Sequence, residues 1–131
     1  MGKFSTGVGK WADKAIDEID DFRKAVILEF FVSVILDTPV ASGRLRGNWQ
    51  IASSVVTGEL EVTDKSGRVT RHNVEDFVKK IPKEKDNVTF LTNNLPYAYR
   101  IEYDGWSHTK APEGMVRKNY IRISNNLAKF K

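Results

Sequence analysis

Cysteine is absent from the chain, and its 131 residues include only two histidines and four prolines. Without cysteine the chain can form neither a disulfide framework nor a zinc–thiolate centre. His72 and His108 lie on separate predicted loops, and neither has a metal-ligand pattern or a nucleophile motif around it. We therefore expect no metal site, no cofactor and no enzymatic activity.

Long apolar runs are also missing. The longest, AVILEFFVSVIL, is interrupted by Glu29, so we predict no membrane span. No apolar run with a cleavage site follows Lys3, and we predict no signal peptide. The net charge is only +4, with 5 basic and 7 acidic residues in positions 1–37, against 16 and 10 in positions 38–131. Such a basic excess permits contact with phosphates without requiring it.

Hydrophobic residues make up 40% of the chain, which is enough for the core of one domain. The clearest predicted element is a helix over Lys10–Leu36, because apolar residues recur there at steps of three and four. Its second half is apolar nearly all round. At least one of its large side chains should therefore be covered by the C-terminal helix or by another chain; the candidates are Phe30, Phe31, Val34 and Ile35.

The rest of the chain predicts short elements. Strands are expected over residues 48–56, 60–63 and 88–92, because apolar and polar residues alternate there. A short helix is expected from Asn73 until Pro82, and a last helix from Pro112. A long N-terminal helix and a C-terminal helix packed on a small antiparallel sheet, with one short extra helix, make an α+β fold. We predict a single domain over 1–131, with 1–9 as a flexible lead-in.

Three blocks stand out by their composition. They read TPVASGRLRGNW (Thr38–Trp49), LTNNLPYAYRIEYDGWS (Leu91–Ser107) and APEGMVR (Ala111–Arg117), about 36 residues in all. The middle block has aromatic residues, a proline and a glycine around Arg100 and Glu102, which predicts an irregular docking or packing segment rather than a smooth helix.

In this order, after a long N-terminal helix, the blocks resemble the tailed-bacteriophage tail-completion family, also called minor tail protein Z-like or neck tail-component proteins. Two positions depart from the family pattern. Asp104 separates Tyr103 from Gly105, where the family usually runs Glu-Tyr-Gly, and Ala41 stands where an acidic residue is usual.

The resemblance implies a structural virion protein of the head–tail junction, made in the host cytoplasm, that caps or joins the tail to the head connector. It implies a closed homo-oligomeric ring, hexameric like other tail rings. Its partners would be other copies of itself, head-connector or head-closure proteins, and tail-terminator or tail-tube proteins. Non-specific contact with DNA in the lumen is compatible with this role, whereas catalysis and membrane contact are not expected.

Arginine and large aromatic side chains anchor protein interfaces more often than other types. The candidate interface residues are Phe30, Phe31, Arg44, Arg46, Trp49, Tyr97, Tyr99, Tyr103, Trp106 and Arg117.

Each candidate also has an intramolecular interpretation. Trp49 on a strand face suits the core, and Tyr97 can pack under Pro96. The two arginines of the first block can tie their loop to carboxylates such as Glu102. Trp106, in a short glycine-flanked loop, is the candidate for which exposure and an interface are favoured.

Two other function classes remain open. A small nucleic-acid-binding protein would use basic side chains on phosphates and aromatic rings on bases. A host-directed hydrolase is the third hypothesis, although no motif supports it. The phosphate-binding face of the second hypothesis would consist of Arg44, Arg46, Arg68, Arg71, Lys79, Lys80, Lys83 and Lys85.

Overall fold

The computed structural model describes residues 2–83, 87–103 and 114–128, with side chains described between residues 18 and 127 of those ranges. This part of the chain contains five helices and two strands. Their order is α1 (Gly2–Asp37), α2 (Arg44–Gly47), β1 (Trp49–Ala52), α3 (Arg68–Lys79), β2 (Phe90–Asn93), α4 (Pro96–Tyr103) and α5 (Val116–Ala128).

Helix α1 is longer than the sequence predicts. It has 36 residues, which corresponds to about 54 Å. The expected flexible lead-in over residues 1–9 is instead helical from Gly2. Glycines weaken helix propensity there, but no proline interrupts the backbone hydrogen bonds. The C-terminal end agrees with the prediction: the Thr38 hydroxyl donates to the Val34 carbonyl at 2.7 Å, and Pro39 cannot continue the helix.

Strands β1 and β2 pair antiparallel, with Trp49 opposite Asn93 and Ala52 opposite Phe90. The prediction of a further strand over residues 60–63 is wrong, since this segment is irregular. Its backbone is held differently: the Leu60 amide donates to Asn48 Oδ1 at 2.6 Å. The buried side chain of Asn48 therefore accepts the hydrogen bond that a neighbouring strand would accept in a sheet.

Helices α3 and α4 both correct the sequence predictions. Helix α3 begins at Arg68 rather than at Asn73, directly after Gly67, whose φ of 76° is left-handed. It therefore includes His72, which was expected on a loop. Helix α4 occupies the block predicted to be irregular, because Pro96 suits the first position of a helix. Its inward face consists of the buried residues Ala98, Ile101 and Glu102.

The core lies where α1, α3, α4 and the start of α5 meet. Val34 and Ile35 are completely buried, and Phe30 and Phe31 pack against this core while partly buried. Phe30 also lies beside Tyr120 of α5, with ring centroids 6.3 Å apart. The C-terminal helix thus covers part of the second half of α1, one of the two outcomes expected. The other buried hydrophobic residues of the cluster are Leu45, Trp49, Val74, Val78, Ile81, Leu95, Ala98, Ile101 and Met115.

Helices α1 and α5 run antiparallel and are joined by polar contacts. Asn119 Nδ2 donates to Asp37 Oδ2 at 2.9 Å near the start of α5. One turn later, Arg122 donates to Glu29 Oε1 and Ser33 Oγ, each at 2.9 Å. Helix α1 also contacts α3, which in turn contacts β1.

The α+β class predicted from the sequence is confirmed. Among the described residues, no helix is both long enough and apolar enough to span a membrane.

Adjacent residues of α1 provide a matched test of this core. Ile35 is completely buried, whereas Leu36 is 44% exposed. Ile35→Ala should lower the free energy of unfolding by about 2–5 kcal/mol, because a cavity is left in the core. Leu36→Ala should cost clearly less. Urea unfolding followed by circular dichroism measures both, and equal losses would contradict this placement of the helix.

Candidate functional site

The first motif block forms a tight turn against a distant segment. Gly43 has a φ of 90°, and a Cβ added there would lie 2.6 Å from the Lys65 amide nitrogen. The Gly43 carbonyl accepts a hydrogen bond from the Asp64 amide at 2.9 Å. Only glycine combines this conformation with such a close backbone approach. The Ser-Gly-Arg part of the motif is therefore a packing feature.

Arg46 does not fan outward as an interface arginine would. Its guanidinium donates to the carbonyl oxygens of Leu36 and Thr38, both at 2.9 Å, and to that of Lys65 at 2.5 Å. The last carbonyls of a helix have no partner within the helix. Arg46 supplies a hydrogen-bond donor to such a carbonyl, that of Leu36. Because it also donates to Lys65, it connects the end of α1 to the segment before α3.

Arg44 remains closer to the expected surface role. It forms an ion pair with Glu59 at 2.9 Å, and both side chains are about two-fifths exposed. The intramolecular interpretation of this arginine is thus correct in kind, although the carboxylate is Glu59 rather than Glu102. An exposed pair of this type contributes little to stability.

Trp49 belongs to the core. It is 8% exposed, and its indole N–H donates to the Thr38 hydroxyl at 2.8 Å. Its neighbour Asn48 is completely buried and donates to the carbonyls of Arg44 at 2.7 Å and Leu60 at 3.2 Å. Sequence reasoning missed Asn48, although its place between a glycine and a tryptophan was a signal of tight packing.

Glu102 joins α4 to α5. Its buried carboxylate accepts hydrogen bonds from the amides of Met115 at 2.5 Å, Val116 at 2.9 Å and Arg117 at 2.9 Å. These are first-turn amides of α5, which have no partner inside the helix. A negative charge at this position is further favoured by the helix dipole. The carboxylate of α4 therefore caps the next described helix of the chain.

Arg117 completes this cap. Its Nε lies 3.2 Å from Glu102 Oε1, and its guanidinium also donates to the Glu102 carbonyl. The same guanidinium lies 5.0 Å from the centre of the Tyr103 ring, within the range of a cation–π contact. Arg117 was an interface candidate. In the structure its guanidinium group forms an ion pair with Glu102 of its own chain.

The remaining tyrosines differ in exposure. Tyr97 is partly buried, as its intramolecular interpretation requires. Tyr99 and Tyr103 are 64% and 55% exposed, and their ring centroids lie 4.9 Å apart. They stand one helical turn apart on α4, and Arg100, which follows Tyr99 in the sequence, is also exposed. We call Tyr99, Arg100 and Tyr103 the tyrosine surface. Trp106 lies outside the described residues.

The basic residues of the nucleic-acid hypothesis do not form one unoccupied face. Arg44 and Arg46 are bound as described above, and Arg71 pairs with Glu75 at 3.0 Å. Arg68, Lys79 and Lys80 are exposed. Lys85 lies outside the described residues.

Asp64 is a structural carboxylate that sequence reasoning missed. Burial raises its pKa, but hydrogen bonds from the Thr70 amide and hydroxyl and from the amides of Gly67 and Val69 outweigh this effect. The pKa therefore falls below the ordinary value. Both Thr70 bonds to Asp64 Oδ2 are 2.8 Å long. An aspartate shortly before a helix was the available signal.

Comparison of the chain with protein-family models, curated proteins and solved structures found no match.

Two glycines give a test of the Glu102 cap. Gly114 and Gly58 have φ of 83° and 92°, so alanine at either costs about 1–2 kcal/mol in backbone conformation. At Gly114 the added Cβ would also lie 2.6 Å from Glu102 Oε1, whereas at Gly58 it meets nothing within 4 Å. Gly114→Ala should therefore destabilise the protein more in urea unfolding. Equal destabilisation would show that the carboxylate is not held against the backbone.

The lowered pKa of Asp64 predicts a pH dependence. A carboxyl group whose folded pKa is depressed stabilises the fold above its unfolded value of 3.8, and this contribution is lost as the pH falls through the folded pKa. Asp64→Asn should be less stable than the wild type at neutral pH, and the difference should narrow at acidic pH. Asp21→Asn, on the exposed part of α1, is the control. Parallel stability curves for wild type and Asp64→Asn would contradict this.

Proposed function

We propose that the protein is a structural virion component of the phage head–tail junction, which assembles into a ring and caps or joins the tail to the head connector. The resemblance of its three motif blocks to tail-completion proteins is the starting point. The α+β fold was predicted from the periodicity of apolar residues, and the long N-terminal helix that precedes the three blocks is present as α1.

The observation that carries the proposal is that some motif residues make internal contacts whereas others are exposed. Arg46, Asn48 and Glu102 are used to hold the chain's own helices and loops together. Tyr99 and Tyr103, from the same blocks, are left exposed on this rigid frame. A frame that presents aromatic rings suits a protein that works by contact with other subunits.

A ring also accounts for the two kinds of expected partner, namely other copies of this chain and different proteins of the head and the tail. In a ring each copy uses two different surfaces to contact its two neighbours. The faces above and below the ring then remain for the head-connector or head-closure protein on one side and the tail-terminator or tail-tube protein on the other. Sixfold symmetry is part of the proposal by resemblance to other tail rings.

Nucleic-acid binding remains the alternative. Among its supporting residues, Arg46 and Arg71 are already bound to carbonyls and a carboxylate, which leaves a weaker phosphate-binding face. Salt separates the two functions, because affinity that depends on several phosphate contacts falls steeply as the salt concentration rises.

The proposal predicts a separation of folding from assembly. Tyr99→Ala combined with Tyr103→Ala should lower the melting temperature only slightly, since both rings are more than half exposed and Arg117, which contacts the Tyr103 ring, remains paired with Glu102. The variant should fail to complement a phage that lacks this protein, and should yield heads and tails that do not join. A lost interface anchor typically costs about 2 kcal/mol or more, roughly thirtyfold in affinity.

Val69→Ala is the control, because Val69 is a 64% exposed side chain on the separate helix α3. It should retain a normal plaque count. Normal infectious yield from the double tyrosine variant would remove the tyrosine surface from the functional site. Normal heads, tails and infectivity in a phage lacking the protein altogether would contradict the proposed function itself.

A further inference from the structure

An apolar groove lies between α1 and α5, on the part of α1 that precedes the core. Its volume is about 380 Å³. We call it the α1–α5 groove; its lining residues are Phe22, Ala25, Val26, Glu29, Ile123, Asn126 and Leu127. Ile19, one turn before it, is 69% exposed, and Phe22 in its wall is 50% exposed. A concave, mostly apolar surface of this volume is a candidate binding site.

The α1 side of the groove is acidic, whereas Glu29 in its wall is paired with Arg122 of α5 at 2.9 Å. Glu18 and Asp21 are exposed on α1, within one helical turn of Phe22. Asp20 is already in ion pairs with Lys24 at 3.1 Å and Arg23 at 3.7 Å. The occupant of the groove should therefore offer aromatic or aliphatic surface together with a positive charge.

The tyrosine surface has this chemistry. Tyr99 and Tyr103 present two adjacent exposed rings, and Arg100 projects a charge from the same helix. Arg117 lies 5.0 Å from the centre of the Tyr103 ring, but it is paired with Glu102, so Arg100 supplies the charge. Aromatic rings and arginine are the side chains that most often anchor protein interfaces.

We infer that the α1–α5 groove of one copy receives the tyrosine surface of the next copy, with Arg100 placed toward Glu18 and Asp21. This inference rests on the proposed ring function and identifies the contact that builds the ring. The exposed carboxylates of Glu18 and Asp21 beside the groove and the exposed Arg100 of the tyrosine surface have opposite charges, which favours this pairing.

The positions of the two surfaces fit a head-to-tail contact. Arg117 borders the tyrosine surface at the start of α5, and Leu127 lines the groove near its end. These residues are about 15 Å apart along the helix axis. The surfaces are therefore distinct, and each copy can use both at once. Such a heterologous contact forms a ring when the rotation closes.

The cysteine-free sequence allows a direct cross-linking test. Ala25→Cys protein is mixed with Pro96→Cys protein under mild oxidation, and the disulfide-linked dimer is identified by mass spectrometry. Pro96 lies one turn before Arg100 on α4, so both rings of the tyrosine surface are kept. Val69→Cys replaces Pro96→Cys in the control, since both native side chains are exposed. We expect the mixed dimer about tenfold above the control, and an oligomer ladder from the Ala25→Cys/Pro96→Cys double variant. Equal yields in the two mixtures would overturn the inference.

Charge reversal gives an independent readout. Glu18→Arg with Asp21→Arg, or Arg100→Glu alone, should weaken self-association by roughly tenfold in sedimentation equilibrium at low salt. The combined variant should recover a large part of the loss, as a direct pairing requires. Losses that simply add in the combined variant would overturn the pairing.

Complementation separates this inference from the proposed function. If the protein is needed to join heads to tails but shows no specific cross-link, the proposed contact is wrong and the proposed function stands. If it cross-links as expected but is not needed for joining, the proposed function is wrong and the proposed contact stands.

Discussion

The buried carboxylate of Glu102 is the interaction on which the C-terminal half of the fold depends. It accepts hydrogen bonds from three consecutive amides, those of Met115, Val116 and Arg117, and so fixes where α5 begins relative to α4. Helix α5 in turn places Asn119 and Arg122 against α1. Removing one partner of a buried charged contact is strongly destabilising, because the other is left uncompensated.

A comparable arrangement holds the N-terminal half together. Arg46 donates to the carbonyl of Leu36 in the last turn of α1 and to that of Thr38 just after the helix. Asn48 donates to the Leu60 carbonyl through Nδ2 and accepts from the Leu60 amide through Oδ1. Arg46, which was an interface candidate, thus belongs to the internal frame together with Asn48. We propose that function lies in what this frame exposes, namely the tyrosine surface of α4 and the groove between α1 and α5.

Much of the fold could be predicted from the periodicity of apolar residues, and the wrong predictions have physical causes. Each of the helices α1 and α5 buries one side, so its apolar residues recur at steps of three and four. This spacing predicts both helices. Helix α4 was missed since its aromatic residues obscure the buried spacing of Ala98, Ile101 and Glu102. The strand expected over residues 60–63 was wrong because Asn48, distant in the sequence, satisfies that backbone. The roles of Arg46 and Glu102 depend on long-range contacts that no local pattern encodes.

We propose that this chain forms a ring at the junction of head and tail. Electron cryomicroscopy of the intact phage particle, with symmetry determined from the images rather than imposed, is the decisive experiment. We expect a closed ring of this α+β fold around the tail axis, with α4 of each copy facing α1 of the next. A particle in which the chain occurs as a single copy away from that axis, or from which it is missing, would contradict this proposal.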